Sequence, residues 1–116
     1  MERRSAPRIR AYRPVRLTPP GSRHVIETLT KDLSVGGLCC VSGIPLPVAT
    51  ELLVELMLST GAEPVTARAR TAWFRAIPNS EQFDLAVAFT EIEEETKRRL
   101  SMYLDHLSKI SPLINV

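Results

Sequence analysis

Two short patterns in this chain could do chemistry together. Arg3-Arg4-Ser5-Ala6-Pro7-Arg8 holds an Arg-x-x-x-Arg pair at Arg4 and Arg8. Asp32-Leu33-Ser34-Val35-Gly36-Gly37 holds Asp-x-Ser-x-x-Gly at the end of an extended apolar segment. A guanidinium offers a planar fork of N–H donors that matches phosphate oxygens and the O6/N7 edge of guanine. An ionised aspartate only accepts, which suits the N–H groups of a guanine's Watson–Crick edge. A single anionic ligand bearing guanine would use both patterns.

Geometry sharpens the arginine pair. Pro7 lacks a backbone N–H and pushes Ala6 towards extended backbone, so the spacing predicts an extended arm instead of a helix. Residues four apart on such an arm face the same side, roughly 13 Å from each other. That is comparable to the span of a dinucleotide. Taken alone, each pattern has an ordinary reading: a basic terminus containing proline, and a turn in which Gly36 and Gly37 supply positive φ.

Charge is distributed unevenly. The whole chain of 116 residues carries +2, yet its first 23 residues hold seven arginines against Glu2 alone. That segment is +6 and the remainder −4. A basic arm on an acidic body suggests an anionic partner, or an arm that rests on its own domain and closes over a ligand. The length suits one domain with a core of its own. No apolar run is long enough to span a bilayer, and no signal-peptide core follows Met1-Glu2-Arg3-Arg4. Cys39 and Cys40 are neighbours that point to opposite faces of a strand, so no disulfide framework follows and a reducing, cytoplasmic setting is expected.

Other chemistries find little support. His24, Asp32 and Ser34 include a triad's residue types, but without a nucleophile elbow. His24, His106, Cys39 and Cys40 lack metal-ligand spacing, and there is no Walker or Rossmann glycine loop. The expectation is therefore not an enzyme, with no metal and no cofactor.

The elements that must hold the two patterns read as strands. Tyr12–Leu17 is a first strand, ended by Pro19-Pro20-Gly21-Ser22. Val25–Leu33 and Leu38–Val41 come next, around the glycine turn. Leu52, Val54, Leu56 and Leu58 alternate with Glu51, Leu53, Glu55 and Met57, giving a strand with one apolar face. Val65, Ala67, Ala69, Thr71 and Trp73 share the core face of the next, with Arg68 and Arg70 opposite. Phe83, Leu85, Val87 and Phe89 line the last. Six short antiparallel strands predict a small closed barrel. A C-terminal helix over about 91–110 completes the chain, with Thr90 and Glu93 at capping-box spacing and Glu93–Lys97, Glu94–Arg98 and Glu95–Arg99 as i,i+4 pairs. Leu100, Tyr103, Leu104, Leu107 and Ile110 form its apolar stripe, and Pro112 ends it.

The order of these pieces, an Arg-x-x-x-Arg arm, two strands, then Asp-x-Ser-x-x-Gly opening a third, resembles the PilZ domain family of bacterial cyclic di-GMP receptors. Ala67-Arg68-Ala69-Arg70-Thr71-Ala72-Trp73 is similar to the family's strand ending in tryptophan, and Phe83-Asp84-Leu85-Ala86-Val87-Ala88-Phe89 to its last core strand. Members often carry glycine where Ala86 stands. The resemblance implies a mainly β fold, a six-stranded antiparallel barrel of the split-barrel type with a C-terminal helix: residues 1–11 a flexible basic arm, 12–116 the barrel domain. It implies a non-enzymatic receptor whose ligand, cyclic di-GMP, is gripped by Arg4, Arg8, Asp32, Ser34 and Gly37. Arg3, Arg10 and Gly36 are auxiliary, Gly36 mainly for structure. A downstream effector protein would read the ordering of the arm, contacted through the helix or Pro112–Val116, with the receptor a monomer or homodimer. Two rival functions remain: a barrel of the same family that has lost its ligand and acts as a protein-interaction adaptor, or a basic-armed barrel that binds nucleic acid. The second is disfavoured by the small number of aromatic residues.

Overall fold

Alternation of apolar and polar residues builds the strands, and closure of the sheet builds the core. The structure, a computed structural model, describes residues 7–110. The strands are β1 Ile9–Arg10, β2 Pro14–Thr18, β3 Ile26–Ser34, β4 Gly37–Ser42, β5 Glu51–Leu56, β6 Val65–Ala76 and β7 Phe83–Glu91. The helix α1 spans Glu94–Ile110. β3, β2, β5, β6, β7 and β4 are hydrogen-bonded in that order, and β4 returns to β3. All pairs are antiparallel. Closure protects the strand edges from pairing with another chain.

Side chains from every strand of the barrel meet inside. Leu17, Leu33, Val54, Leu56, Val65 and Leu85 are completely enclosed, and Leu100 of α1 is equally buried. Helix α1 lies against β1, β3 and β6. Leu100 and Leu104 enter the core, with Tyr103 and Leu107 at its margin. Burying a leucine of this kind contributes about 1.5–3 kcal/mol, so the helix is held by its stripe more than by its surface charges.

The six-stranded barrel with a C-terminal helix is thus present, with one strand more than predicted. β1 pairs with the end of β3, Ile9 opposite Leu33 and Arg10 opposite Asp32. The last residues of the basic arm therefore belong to the sheet, and Ala11 is buried behind them.

Other differences have local causes. β5 ends at Leu56; Leu58 is still buried, and Met57 N–H bonds to the Pro14 carbonyl beyond the strand. Thr90 lies within β7 and does not cap the helix; Glu93 accepts the first helical bond, from Lys97 N–H, at 2.8 Å. Among the described residues, none of the three expected i,i+4 pairs forms. Arg98 meets Glu95 three residues earlier at 3.2 Å, and Arg99 donates to the Glu63 carbonyl at 2.7 Å. Exposed pairs contribute only a few tenths of a kcal/mol, too little to select one partner over another. Ile110 is exposed, and Pro112 lies outside the described residues.

Trp73 is the clearest correction. The alternation in β6 holds from Val65 to Thr71, then a bulge between Thr71 and Trp73 shifts the register. A bulge adds one residue against its partner strand and re-aims the side chains after it. Trp73, expected in the core, is 39% exposed.

Candidate functional site

Asp32 gathers the site because β3 gives it neighbours on both edges. It lies opposite Arg10 in β1 and Cys39 in β4. Leu33 points into the core and Asp32 outwards, as period-two geometry requires. Arg8 reaches the same carboxylate oxygen twice: Nη2 at 2.7 Å and Nε at 3.0 Å from Oδ1. Both side chains keep about a third of their surface in water, 33% and 29%. Such a pair contributes roughly 0–1 kcal/mol, so either partner can exchange it for another at little cost.

Thr30 sets the arm on this surface. Its buried hydroxyl donates to the Ala11 carbonyl at 2.6 Å and accepts Arg13 N–H at 2.9 Å. Thr30 N–H donates to the Arg13 carbonyl, and Ala11 N–H to the Lys31 carbonyl. Arg13 itself is turned away, its Nε donating to the Met57 carbonyl. The arm is therefore fastened at residues 11–13, which brings Arg8 and Arg10 over Asp32. Arg3 and Arg4 lie outside the described residues.

The Asp-x-Ser-x-x-Gly turn closes through its serine. Ser34 Oγ accepts Gly36 N–H at 3.1 Å and lies 3.5 Å from the Gly37 carbonyl. Gly36 O accepts Phe89 N–H, which ties the turn to β7. Neither glycine has positive φ, so the turn does not need them for that reason. Gly37 has a different constraint. A Cβ there would collide with the Val87 carbonyl oxygen and approach Ala88 Cα to 3.1 Å, whereas at Gly36 there is open space apart from Ser34 Oγ.

Beyond Asp32 the outer face continues as a row across the sheet. Asp32 pairs with Cys39, Cys39 with Ala86, and Ala86 with Trp73. Cys39 and Ala86 are small and buried, forming a low floor between the carboxylate and the indole. Burial pushes the Cys39 thiol up, assisted by the Asp32 and Asp84 carboxylates. Cys40 points into the core, where burial raises its thiol to about 12. Both cysteines are free, as their opposite orientations require.

The adjoining row holds Asp84, opposite Val41 and Arg75. Lys31 Nζ is 2.7 Å from Asp84 Oδ1, and Arg75 Nη2 is 3.4 Å from Oδ2. The Lys31 hydrogen bond holds the Asp84 carboxyl below its ordinary range, and Asp84 in turn raises Lys31. The Arg75 guanidinium also lies 5.4 Å from the centre of the Trp73 ring, a cation–π contact. None of these four residues was singled out as a site residue from the sequence. The alternation of Phe83–Phe89 already turns Asp84 and Ala86 outwards and so carried part of the signal. Lys31 and Trp73 sit at bulges that pattern alone does not reveal. Among the described residues, no cluster of three or more histidines, cysteines or carboxylates could hold a metal ion, and no helix is long and apolar enough to cross a membrane.

The structure is a closed antiparallel barrel with a basic arm sewn to one strand and a carboxylate-bearing turn at that strand's end. The chain belongs to the PilZ domain family, whose model matches residues 2–106. Among solved structures it is similar to the inhibitor of motility MotI/DgrA of Bacillus subtilis, with a TM-score of 0.82 and 21% identity over 96% of this chain and 54% of that one. It is also similar to YcgR of Escherichia coli in complex with c-di-GMP: TM-score 0.80, 16% identity, 99% of this chain and 50% of that one. The isolated PilZ domain of YcgR with c-di-GMP matches at 0.72 and 16% identity, covering 93% of both chains. The chain thus spans about half the length of MotI/DgrA and of YcgR. Among curated proteins, none matches the chain.

Proposed function

We propose that the chain is a non-enzymatic receptor for cyclic di-GMP, gripped between the arm and the Asp-x-Ser-x-x-Gly turn. The observation that carries this reading is the exposed Arg8–Asp32 pair, which joins the two patterns at 2.7 Å on one surface. Membership of the PilZ family and the two YcgR structures with c-di-GMP support the ligand. Arg8 and Asp32 satisfy each other through an exposed pair that a ligand can displace. On binding, Asp32 turns its acceptors to the N–H groups of a guanine, while Arg8 and Arg4 turn their forks to phosphates and base edges. Arg10 and Arg3 add charge, and Ser34 a hydroxyl. Gly37 and Gly36 keep the turn low enough for a base to approach. Ordering of the arm costs conformational entropy, and its position then reports occupancy to an effector protein.

Titration calorimetry with cyclic di-GMP tests this. The parent chain should bind, and Arg8→Ala and Asp32→Ala should each weaken binding about tenfold or more, since a hydrogen bond to a charged group contributes about 1.5–3 kcal/mol. Their far-ultraviolet circular dichroism should match the parent's. Unchanged affinity in both variants would remove the proposed site; no heat at low salt from the parent would favour the adaptor reading.

A further inference from the structure

We infer that Lys31 and Arg75, anchored on Asp84, form a second cationic contact for the far half of the same ligand, which then lies across β3, β4, β7 and β6. The inference rests on the receptor reading and extends it beyond the arm and turn.

The anchor and the cations differ in exposure. The Asp84 side chain keeps only 11% of its surface in water, while those of Lys31 and Arg75 keep 45% and 70%. A carboxylate sunk into the sheet holds an ammonium and a guanidinium head that face solvent. The triplet carries one positive charge in excess, which a third, anionic partner can neutralise. Lys31 gets there through a bulge. The β3–β4 register shifts between Thr30 and Asp32, and Lys31 is the residue left without a partner in β4. That extra residue sends its side chain across β4 to Asp84 instead of along its own row.

The surface between the two cationic ends is shaped for a flat ligand. From Asp32 to Trp73 the row crosses three strand spacings, roughly 14 Å along the sheet. Only Cys39 and Ala86 stand between them, and neither rises far above the backbone. Within the described residues the row from Arg10 to Trp73 and the row of Asp84 beside it offer Arg8, Arg10, Lys31 and Arg75 against Asp32 and Asp84. Two positive charges are left over, and a cyclic dinucleotide carries two phosphodiester charges. The arm satisfies one end of such a ligand; the Lys31–Asp84–Arg75 triplet meets the other.

A triplet that only ties β3 to β7 would have the same distances, so the test needs a readout that a tie would not move. Cyclic di-GMP affinity is measured by calorimetry at several salt concentrations for the parent, Lys31→Gln, Arg75→Gln and Arg98→Gln, with thermal midpoints for each. Arg98 pairs with Glu95 on the helix and serves as a charge-matched control. Lys31→Gln and Arg75→Gln should each weaken binding about three- to tenfold and flatten its salt dependence, because a screened charge contact has been lost. Arg98→Gln should bind as the parent does. If Lys31→Gln also melts early, Arg75→Gln decides, its side chain being mostly in solvent. Parent-like affinity and salt dependence in Arg75→Gln, with Arg8→Ala and Asp32→Ala still defective, would overturn this inference and leave the receptor reading standing. A parent that binds no cyclic di-GMP would overturn both.

Discussion

Gly37 shows how one residue can look like a ligand contact and have a packing reason as well. Its place beside Val87 leaves no room for a Cβ within the β4–β7 ladder. Replacing it must push two hydrogen-bonded strands apart, and overpacking of this kind costs about 1–3 kcal/mol. Gly37→Ala should therefore lower stability by that amount in a urea titration, whether or not ligand is present; a stability equal to the parent's would contradict the geometry. Asp32 and Arg8 differ in kind. Their pair is exposed and cheap to exchange, which is what a switchable contact requires. Residue types and spacing made Arg8, Asp32 and Ser34 legible in the sequence, because donor forks, acceptors and turn hydroxyls are properties of the residues themselves. Trp73, Lys31 and Arg75 were not legible as site residues, since their positions depend on bulges and on which strands become neighbours.

β3 is the element on which the site is assembled. One of its edges carries β2 and then β1, the other carries β4, and Thr30 stands where the arm joins. Sequence pattern located β3, β4 and β7 to within a residue or two: the glycine turn marks where β3 ends and β4 begins, and alternation marks β7. It did not reveal β1, whose two residues are too few to show a period. Nor did it place the helix start, where a capping-box spacing at Thr90 competed with continuation of β7 and the ladder prevailed. The Thr30 hydroxyl adds two bonds to the backbone bonds that fasten the arm to β3. Thr30→Val keeps the shape but leaves the Ala11 carbonyl and Arg13 N–H without a partner, at a cost of about 1–3 kcal/mol. Amide exchange at Ala11 and Arg13 should accelerate in this variant while the β5–β6 ladder stays protected. Equal protection at those amides would mean that the backbone bonds alone hold the arm.

At the scale of the whole molecule, the barrel separates a closed interior from a charged exterior. The fold class, six antiparallel strands in a ring with a helix packed against it, was readable because six short apolar strands are separated by turn signals and such strands stay stable by closing. The charge asymmetry was equally readable: the basic arm meets Asp32 on an otherwise acidic body, as its electrostatics suggested. What the chain order could not show is the continuous outer row from Arg10 through Asp32, Cys39 and Ala86 to Trp73, which brings together residues from five strands. That row turns two separate motifs into one surface. The most direct test of this account is a titration of the isotope-labelled chain with cyclic di-GMP, monitored through backbone amide resonances. Large shifts are expected at Arg3–Arg10, Lys31–Gly37, Arg75 and the row ending at Trp73, with the rest of the barrel little changed. Saturable shifts centred instead on the far side of the barrel around Arg16 and Glu55, with Asp32 and Ser34 unmoved, would contradict it.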